Sequence, residues 1–135
     1  MFNLKEKKTI KKIADKYFLD LILLFGSRAS GKNYKRSDFD IAYLGRKELD
    51  LNKEAGLILE LSSVFKSENI DLVNIKKSSP LLFYAITKEC RIIYEKNPVI
   101  FPALRAYAFK KYIETKPLYE EKFKRLRNKI KGSNR

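Results

Sequence analysis

Apolar residues in the first third of the chain follow two different periods. Over residues 4–18 they recur at steps of three and four, which is the spacing of one helix face. Residues 21–25 form a continuous apolar run that Gly26 and Ser27 close, a pattern typical of a buried strand entering a tight turn. Apolar and polar positions then alternate over residues 38–43, which is the period of a strand. The pattern therefore predicts a helix, a strand, a loop and a second strand.

The middle of the chain predicts two more helices, each followed by a strand. Asp50 can cap a helix, and residues 70–75 return as a strand after it. Ser79 followed by Pro80 opens a shorter helix, and residues 91–94 give a fourth strand. The inward positions predicted for the longer helix are Leu51, Ala55, Ile58, Leu61 and Phe65.

The C-terminal part of the chain is basic, aromatic and helical in its period. Pro98 and Pro102 break the chain before it, and the helical pattern runs from about residue 103 to residue 131. Pro117 is expected to kink or interrupt this helix, because proline has no N–H to donate. Residues 131–135 are expected to fray.

These elements together predict one α/β (α+β) domain, built as a small mixed sheet of about four strands flanked by helices, with a C-terminal helical tail. A chain of 135 residues that is 44% hydrophobic can bury one core. We expect residues 1–97 to form that core and residues 98–135 to form an extension that packs on the core or on a partner. No apolar run approaches the ~20 residues that span a membrane, and no targeting segment is expected at the N-terminus.

The charge of the chain narrows the class of partner without choosing one. Lys and Arg number 30 against 16 Asp and Glu, so the formal net charge is +14. A nucleotide, a nucleic acid, an acidic protein or a membrane surface would each satisfy this charge. A well-solvated lysine-rich surface is the alternative explanation.

The residues that are absent exclude whole classes of chemistry. The chain has no histidine, so Ser-His-Asp and Cys-His nucleophiles and His-containing zinc sites are excluded. Cys90 is the single cysteine, which rules out an intramolecular disulfide and suits a reducing cytoplasm. Any metal must therefore bind carboxylates, carbonyls and water, ligands that favour Mg²⁺ or Mn²⁺.

Asp38 and Asp40 form the first candidate site. Side chains two apart on a strand point to the same face, so the two carboxylates should lie a few ångströms from one another. Like charges that close are costly without a cation between them. Such a pair marks either a metal site or an exposed, solvated strand end, and the pair alone does not decide between them.

Gly26 and Ser27 form the second candidate site. A glycine and a serine that leave a buried strand for a short helix can present backbone N–H groups to an anion, with the serine hydroxyl as a further donor. An ordinary turn with a serine cap is the alternative. The loop between the two candidate sites carries four cations, which would place an anion site beside a cation site, as a metal–nucleotide complex needs. They are Arg28, Lys32, Lys35 and Arg36.

The motif at residues 25–31, Phe-Gly-Ser-Arg-Ala-Ser-Gly, followed by Ser-Asp-Phe-Asp-Ile at residues 37–41, resembles the signature of the polymerase-beta-like nucleotidyltransferases, specifically the minimal ones. That family carries a third carboxylate on a later strand, and Asp71 matches its placement. One departure is Ser30, where the family often has a second arginine. The resemblance extends from the first helix to about Tyr94. The stretches at residues 106–112 and 116–118 also resemble the tail of antitoxin-type members, which are paired with a HEPN-domain toxin.

The resemblance implies a fold, a reaction and a set of roles. It implies the polymerase-beta-like nucleotidyltransferase fold and transfer of AMP from ATP to a tyrosine hydroxyl of the HEPN toxin. Two Mg²⁺ ions, or Mn²⁺, would be held by the three aspartates, with Asp71 nearer the acceptor hydroxyl. The nucleotide would be bound by Gly26, Ser27, Arg28 and Lys32.

Two other functions remain open from the sequence. The chain could be a binding module without turnover, either a stoichiometric antitoxin or a nucleic-acid binder, although a complete set of three aspartates argues against it. It could also modify a small-molecule hydroxyl such as that of an antibiotic, but such enzymes usually need an additional substrate domain for which this chain has no room.

Overall fold

The fold was analysed in a computed structural model that describes residues 2–29 and 38–133. In these residues four helices and four strands follow one another along the chain, and a single 3₁₀ turn follows each of β1 and β3. The helices are α1 (Leu4–Lys16), α2 (Leu51–Phe65), α3 (Pro80–Lys88) and α4 (Ile100–Ser133). The strands are β1 (Leu19–Phe25), β2 (Phe39–Gly45), β3 (Ile70–Asn74) and β4 (Cys90–Glu95).

The four strands form one mixed sheet in the order β3-β2-β1-β4. β1 runs antiparallel to both β2 and β4, whereas β2 and β3 pair in parallel. Helices cover both faces of the sheet. α1 and α2 pack on one face and bury Ile22, Leu24 and Ile41, while α3 and α4 pack on the other and bury Leu21 and Leu23. The predicted mixed sheet of four strands flanked by helices is therefore confirmed.

Local signals in the sequence set the starts of the helices. The Asp50 carboxylate accepts a hydrogen bond from the Lys53 N–H at 2.8 Å, and the Ser79 hydroxyl accepts one from the Leu82 N–H at 3.2 Å. Both caps satisfy backbone donors that would otherwise lack a partner in the first turn. The helix starts predicted at these two positions are confirmed.

The C-terminal helix differs from the prediction at both prolines. α4 begins at Ile100, before Pro102. Proline is tolerated there because N–H groups in the first helical turn have no carbonyl acceptor within the helix, so the missing N–H of proline costs no hydrogen bond. The predicted interruption at Pro117 is wrong, because α4 continues through that residue to Ser133. α4 is helical as far as Ser133, and residues 134–135 lie outside the described part of the chain. The fraying of residues 131–135 stays a prediction. No helix in the described residues is long and apolar enough to cross a membrane.

Candidate active site

The parallel pairing of β2 and β3 brings two distant aspartates together. Asp40 lies directly opposite Asp71 in the strand register, and their carboxyl groups are close enough to share a hydrogen bond when one of them is protonated. Asp38 precedes β2 by one residue and adds its charge to the same group. The sequence predicted the Asp38–Asp40 pair from strand period alone. The structure joins Asp71 to it through sheet pairing, so the three candidate carboxylates gather at one end of the sheet.

The surroundings of Asp40 disfavour its charged form. Partial burial raises the pKa of its carboxyl group above the usual value, and the charge of Asp71, followed by that of Asp38, raises it further. The hydrogen bond with Asp71 acts in the same direction. A group of carboxylates that oppose one another's ionisation in this way is the environment in which a bound cation lowers the electrostatic cost.

The Gly26 backbone is packed directly against the Asp40 carboxylate, so a side chain at position 26 would not fit. Its φ of +76° is in the left-handed region, and a Cβ built there would overlap the Asp40 Oδ2 atom. The β1–β2 register explains the closeness, because Phe25 is paired with Asp40. Glycine is thus required at position 26 for two independent reasons, backbone conformation and contact with the Asp40 carboxylate.

The other predicted nucleotide contacts have different positions. Ser27 lies within the 3₁₀ turn Gly26–Arg28, next to the acidic group. The Arg28 guanidinium lies 4.2 Å from the centroid of the Phe39 ring, and Phe39 points to the face of the sheet opposite Asp40. Lys32 lies outside the described residues. A phosphate contact from Arg28 would therefore require its side chain to leave Phe39.

The donors in this group suit a hard divalent cation, since all are carboxylate oxygens. Within residues 2–29 and 38–133, no three acidic or cysteine side chains are grouped so that they could hold one ion between them. Asp40 and Asp71 are side by side, whereas Asp38 is exposed at the start of the strand. The chemistry of the residues fits a metal–nucleotide complex in which phosphate oxygens would complete the ligand set.

Sequence reasoning missed two neighbours of the site. Phe39, which separates the two aspartates of the motif, packs its ring 5.0 Å from that of Phe65 and so fixes the start of β2 on α2. The sequence feature that could have indicated this packing is a large apolar residue between two aspartates on a predicted strand, since its side chain must point to the opposite face of the sheet. Cys90 pairs with Phe25 at the same end of the sheet, and burial raises the pKa of its thiol. That thiol stays neutral near pH 7 and supplies no nucleophile.

Comparisons with known proteins agree with this geometry. The family model described as "Polymerase beta, Nucleotidyltransferase" matches residues 8–99, more than half of the chain. The matched segment includes the Gly26-Ser27 turn and all three candidate aspartates. A curated relative, Protein adenylyltransferase MntA from Aphanizomenon flos-aquae, is 27% identical over 120 residues, which cover 82% of this chain and 80% of the relative.

Two solved structures share the fold. A toxin–antitoxin structure with AMP-PNP superimposes with a TM-score of 0.69 at 24% identity, covering 87% of this chain and 98% of the other. A tri-AMPylated Shewanella oneidensis HEPN toxin in complex with MNT antitoxin gives a TM-score of 0.64 at 22% identity, covering 88% and 97%. The predicted fold class and enzyme class are thus confirmed, and the chain belongs to the polymerase beta nucleotidyltransferase family.

Proposed function

We propose that this protein transfers AMP from ATP to a tyrosine hydroxyl of a HEPN-domain toxin and acts as the antitoxin of that pair. The observation that carries the proposal is the pairing of Asp40 with Asp71 across β2 and β3, with Gly26 directly against the Asp40 carboxylate. The names of the similar proteins, a protein adenylyltransferase and an MNT antitoxin bound to a tri-AMPylated HEPN toxin, support this choice of donor and acceptor. The single cysteine suits a cytoplasmic location.

In the proposed reaction the three aspartates have two roles. Asp38, Asp40 and Asp71 would together hold two divalent ions, either Mg²⁺ or Mn²⁺. When bound, these ions would neutralise the negative charge of the triphosphate. Asp71 takes the proton from the tyrosine hydroxyl. The tyrosine oxygen then forms a bond to the α-phosphorus, the bond from that phosphorus to the bridging oxygen breaks, and pyrophosphate leaves.

The turn after β1 would hold the rest of the nucleotide. The Gly26 backbone contacts the Asp40 carboxylate, and Ser27 follows it in the same 3₁₀ turn. This closeness supports a role for the Gly26 backbone and the Ser27 hydroxyl in steadying the β- and γ-phosphates. Arg28 and Lys32 would add charge to the same phosphates. For Arg28 this means exchanging its contact with the Phe39 ring for a contact with phosphate oxygens.

The test separates binding from chemistry within the three aspartates. Asp71→Asn is expected to keep Mg²⁺–ATP binding nearly intact and to reduce transfer of radiolabelled AMP to the HEPN partner by a factor on the order of 10²–10⁴, as loss of a base does. Asp38→Asn and Asp40→Asn are expected to weaken nucleotide binding and abolish transfer together. Calorimetry measures the first quantity, and a filter assay with radiolabelled ATP measures the second.

Protection of cells decides whether the reaction is what neutralises the toxin. Asp71→Asn should fail to protect cells that express the toxin, because the modified tyrosine is absent. Full protection by this variant, with transfer shown to be absent, would contradict the catalytic proposal and favour a stoichiometric antitoxin. Transfer of AMP to an antibiotic hydroxyl but not to the HEPN protein would favour the small-molecule alternative.

A further inference from the structure

The second half of α4 is exposed in the described part of the chain. α4 spans 34 residues, or about 50 Å at 1.5 Å per residue. Its first half packs on the core: Ala108 is fully buried, and the Tyr112 ring stacks on that of Tyr84 with centroids 4.1 Å apart. Every residue over positions 120–132 is exposed. These last three and a half turns therefore contribute a surface rather than a core.

That surface carries an apolar stripe. Four large side chains recur at steps of four, three and four residues, so they lie on one face of the helix. Three of them have exposed fractions of 46–60%, a high value for aromatic and aliphatic side chains aligned in a row. We call these four residues the distal stripe: Tyr119, Phe123, Leu126 and Ile130.

The charges beside the distal stripe are mostly positive. Over residues 120–131 the helix carries six Lys and Arg residues against two Glu residues. Glu121 is already paired within the helix, at 2.8 Å from Arg125. Two copies of the helix packed along the stripe would bring these cations together, which opposes self-association. An acidic surface would instead be attracted by them.

The first half of α4 packs on the face of the sheet that carries Asp40. Ala108 packs with Ala42 on one face of the sheet, and Asp40, two residues before Ala42 on β2, shares that face. Further along α4, Tyr107 and Lys111 line a cavity with Leu44 and Ile75, at the end of β2 and β3 away from Asp40 and Asp71.

We infer that the distal stripe docks into an apolar, acid-rimmed groove of the protein whose tyrosine is modified, and so tethers that partner to this chain. The inference rests on the proposed function, because it takes the HEPN protein as the occupant. A helix that presents apolar residues at these steps is suited to a groove on a protein, with charged residues at its rim. A phosphate backbone would use the cations alone and leave the stripe uncovered.

The experiment compares a stripe variant with a matched surface variant. Phe123→Ser combined with Ile130→Ser is expected to raise both the Kd and the KM for the HEPN protein at least tenfold, with kcat at saturation, Mg²⁺–ATP binding and melting temperature unchanged. Leu59→Ser, at a residue of α2 that is 72% exposed, makes the same chemical change elsewhere and should alter none of these values. Lys124→Glu with Arg127→Glu should weaken partner binding and flatten its salt dependence.

Each other outcome overturns the inference. A stripe variant with wild-type Kd and KM would remove the stripe from the interface, and a lower melting temperature would return it to the core of this chain. Conversion from dimer to monomer in sedimentation would assign the stripe to a second copy, and loss of RNA binding alone would assign it to nucleic acid. Wild-type protein that binds the HEPN partner without transferring AMP removes only the proposed reaction; wild-type protein that does neither overturns both proposals.

Discussion

At the scale of single residues, the Asp40 carboxylate restricts position 26 to glycine, and the Gly26 turn limits where that carboxylate can lie. The backbone of Gly26 has a φ that side-chain-bearing residues rarely adopt, and the Asp40 carboxylate occupies the space where a Cβ would stand. Asp40 in turn is held beside Asp71 by the pairing of β2 with β3. A change at position 26 would therefore act on the position of the carboxylates as well as on the turn.

Gly26→Ala is expected to reduce AMP transfer by about 100-fold, because a displacement of about 1 Å at a reacting group can cost that much. The same change should lower the free energy of unfolding by about 1–3 kcal/mol through strain at a positive φ. Radiolabelled transfer and urea denaturation measure the two effects. Gly132→Ala is the control, since nothing lies within 4 Å of a Cβ there. Wild-type transfer by Gly26→Ala would show that the Asp40 position is not set by this contact.

The two halves of α4 differ at the scale of elements. The first half is tied to α3 by aromatic contacts, including Phe83 with Tyr107 at 6.0 Å and Tyr84 with Tyr112 at 4.1 Å. The second half, past Pro117, has exposed residues on all sides from position 120 onward. Pro117 removes one backbone hydrogen bond, to the carbonyl of Ile113, at the junction of the halves. The junction is thus the weakest point of an otherwise continuous helix.

Pro117→Ala is expected to slow amide hydrogen exchange around residues 113–123 while leaving the global unfolding transition unchanged. The reason is that proline inside a helix costs about 3 kcal/mol, and here that cost falls on a segment that can open without the core. Hydrogen exchange by mass spectrometry and a melting curve measure the two. Pro102→Ala, in the first turn of α4, should leave exchange at residues 113–123 unaltered. A global melting temperature that rises with Pro117→Ala would show that the two halves unfold together.

At the scale of the whole molecule, an anion could bind either to the basic surface or, with a divalent cation, at the proposed carboxylate site. A net charge of +14 attracts phosphates without any defined site, whereas at the proposed site the carboxylates would repel a triphosphate that arrives without a divalent cation. These modes respond differently to metal and to salt. Attraction to the basic surface weakens as salt screens it and needs no metal, while binding at the proposed site would depend on the cation.

ATP binding is expected to require Mg²⁺ and to vanish when EDTA is added, because three clustered carboxylates repel a bare triphosphate. Calorimetry with and without EDTA measures this dependence. Asp40→Asn serves as the matched variant and should lose the metal-dependent heat while keeping the same basic surface. Equal affinity with and without divalent metal, falling steeply with NaCl in both cases, would mean that the surface charge alone binds the nucleotide.

The sequence by itself determined the local features of this protein. The bounds of helices and strands, the Asp50 and Ser79 caps and the Gly26 turn depend on neighbours within a few residues, so they could be predicted without a fold. The inward face predicted for α2 was wrong at Leu51 and Ala55, which are exposed, because the sheet buries Leu57 and Val64 beside Leu61 instead. The Asp38–Asp40 pair followed from strand alternation alone. The assignment of Asp71 came from resemblance to a family, because no local rule links it to a carboxylate 31 positions earlier.

The tertiary structure decided which of these local features meet. Only the parallel pairing of β2 with β3 places Asp71 beside Asp40, and only the pairing of β1 with β2 sets Gly26 against the same carboxylate. The stacking of Arg28 on Phe39 and the continuity of α4 through Pro117 were likewise beyond the sequence. Contacts between distant segments depend on how the whole core packs. The free energy of that packing can override a local preference, such as the tendency of proline to interrupt a helix.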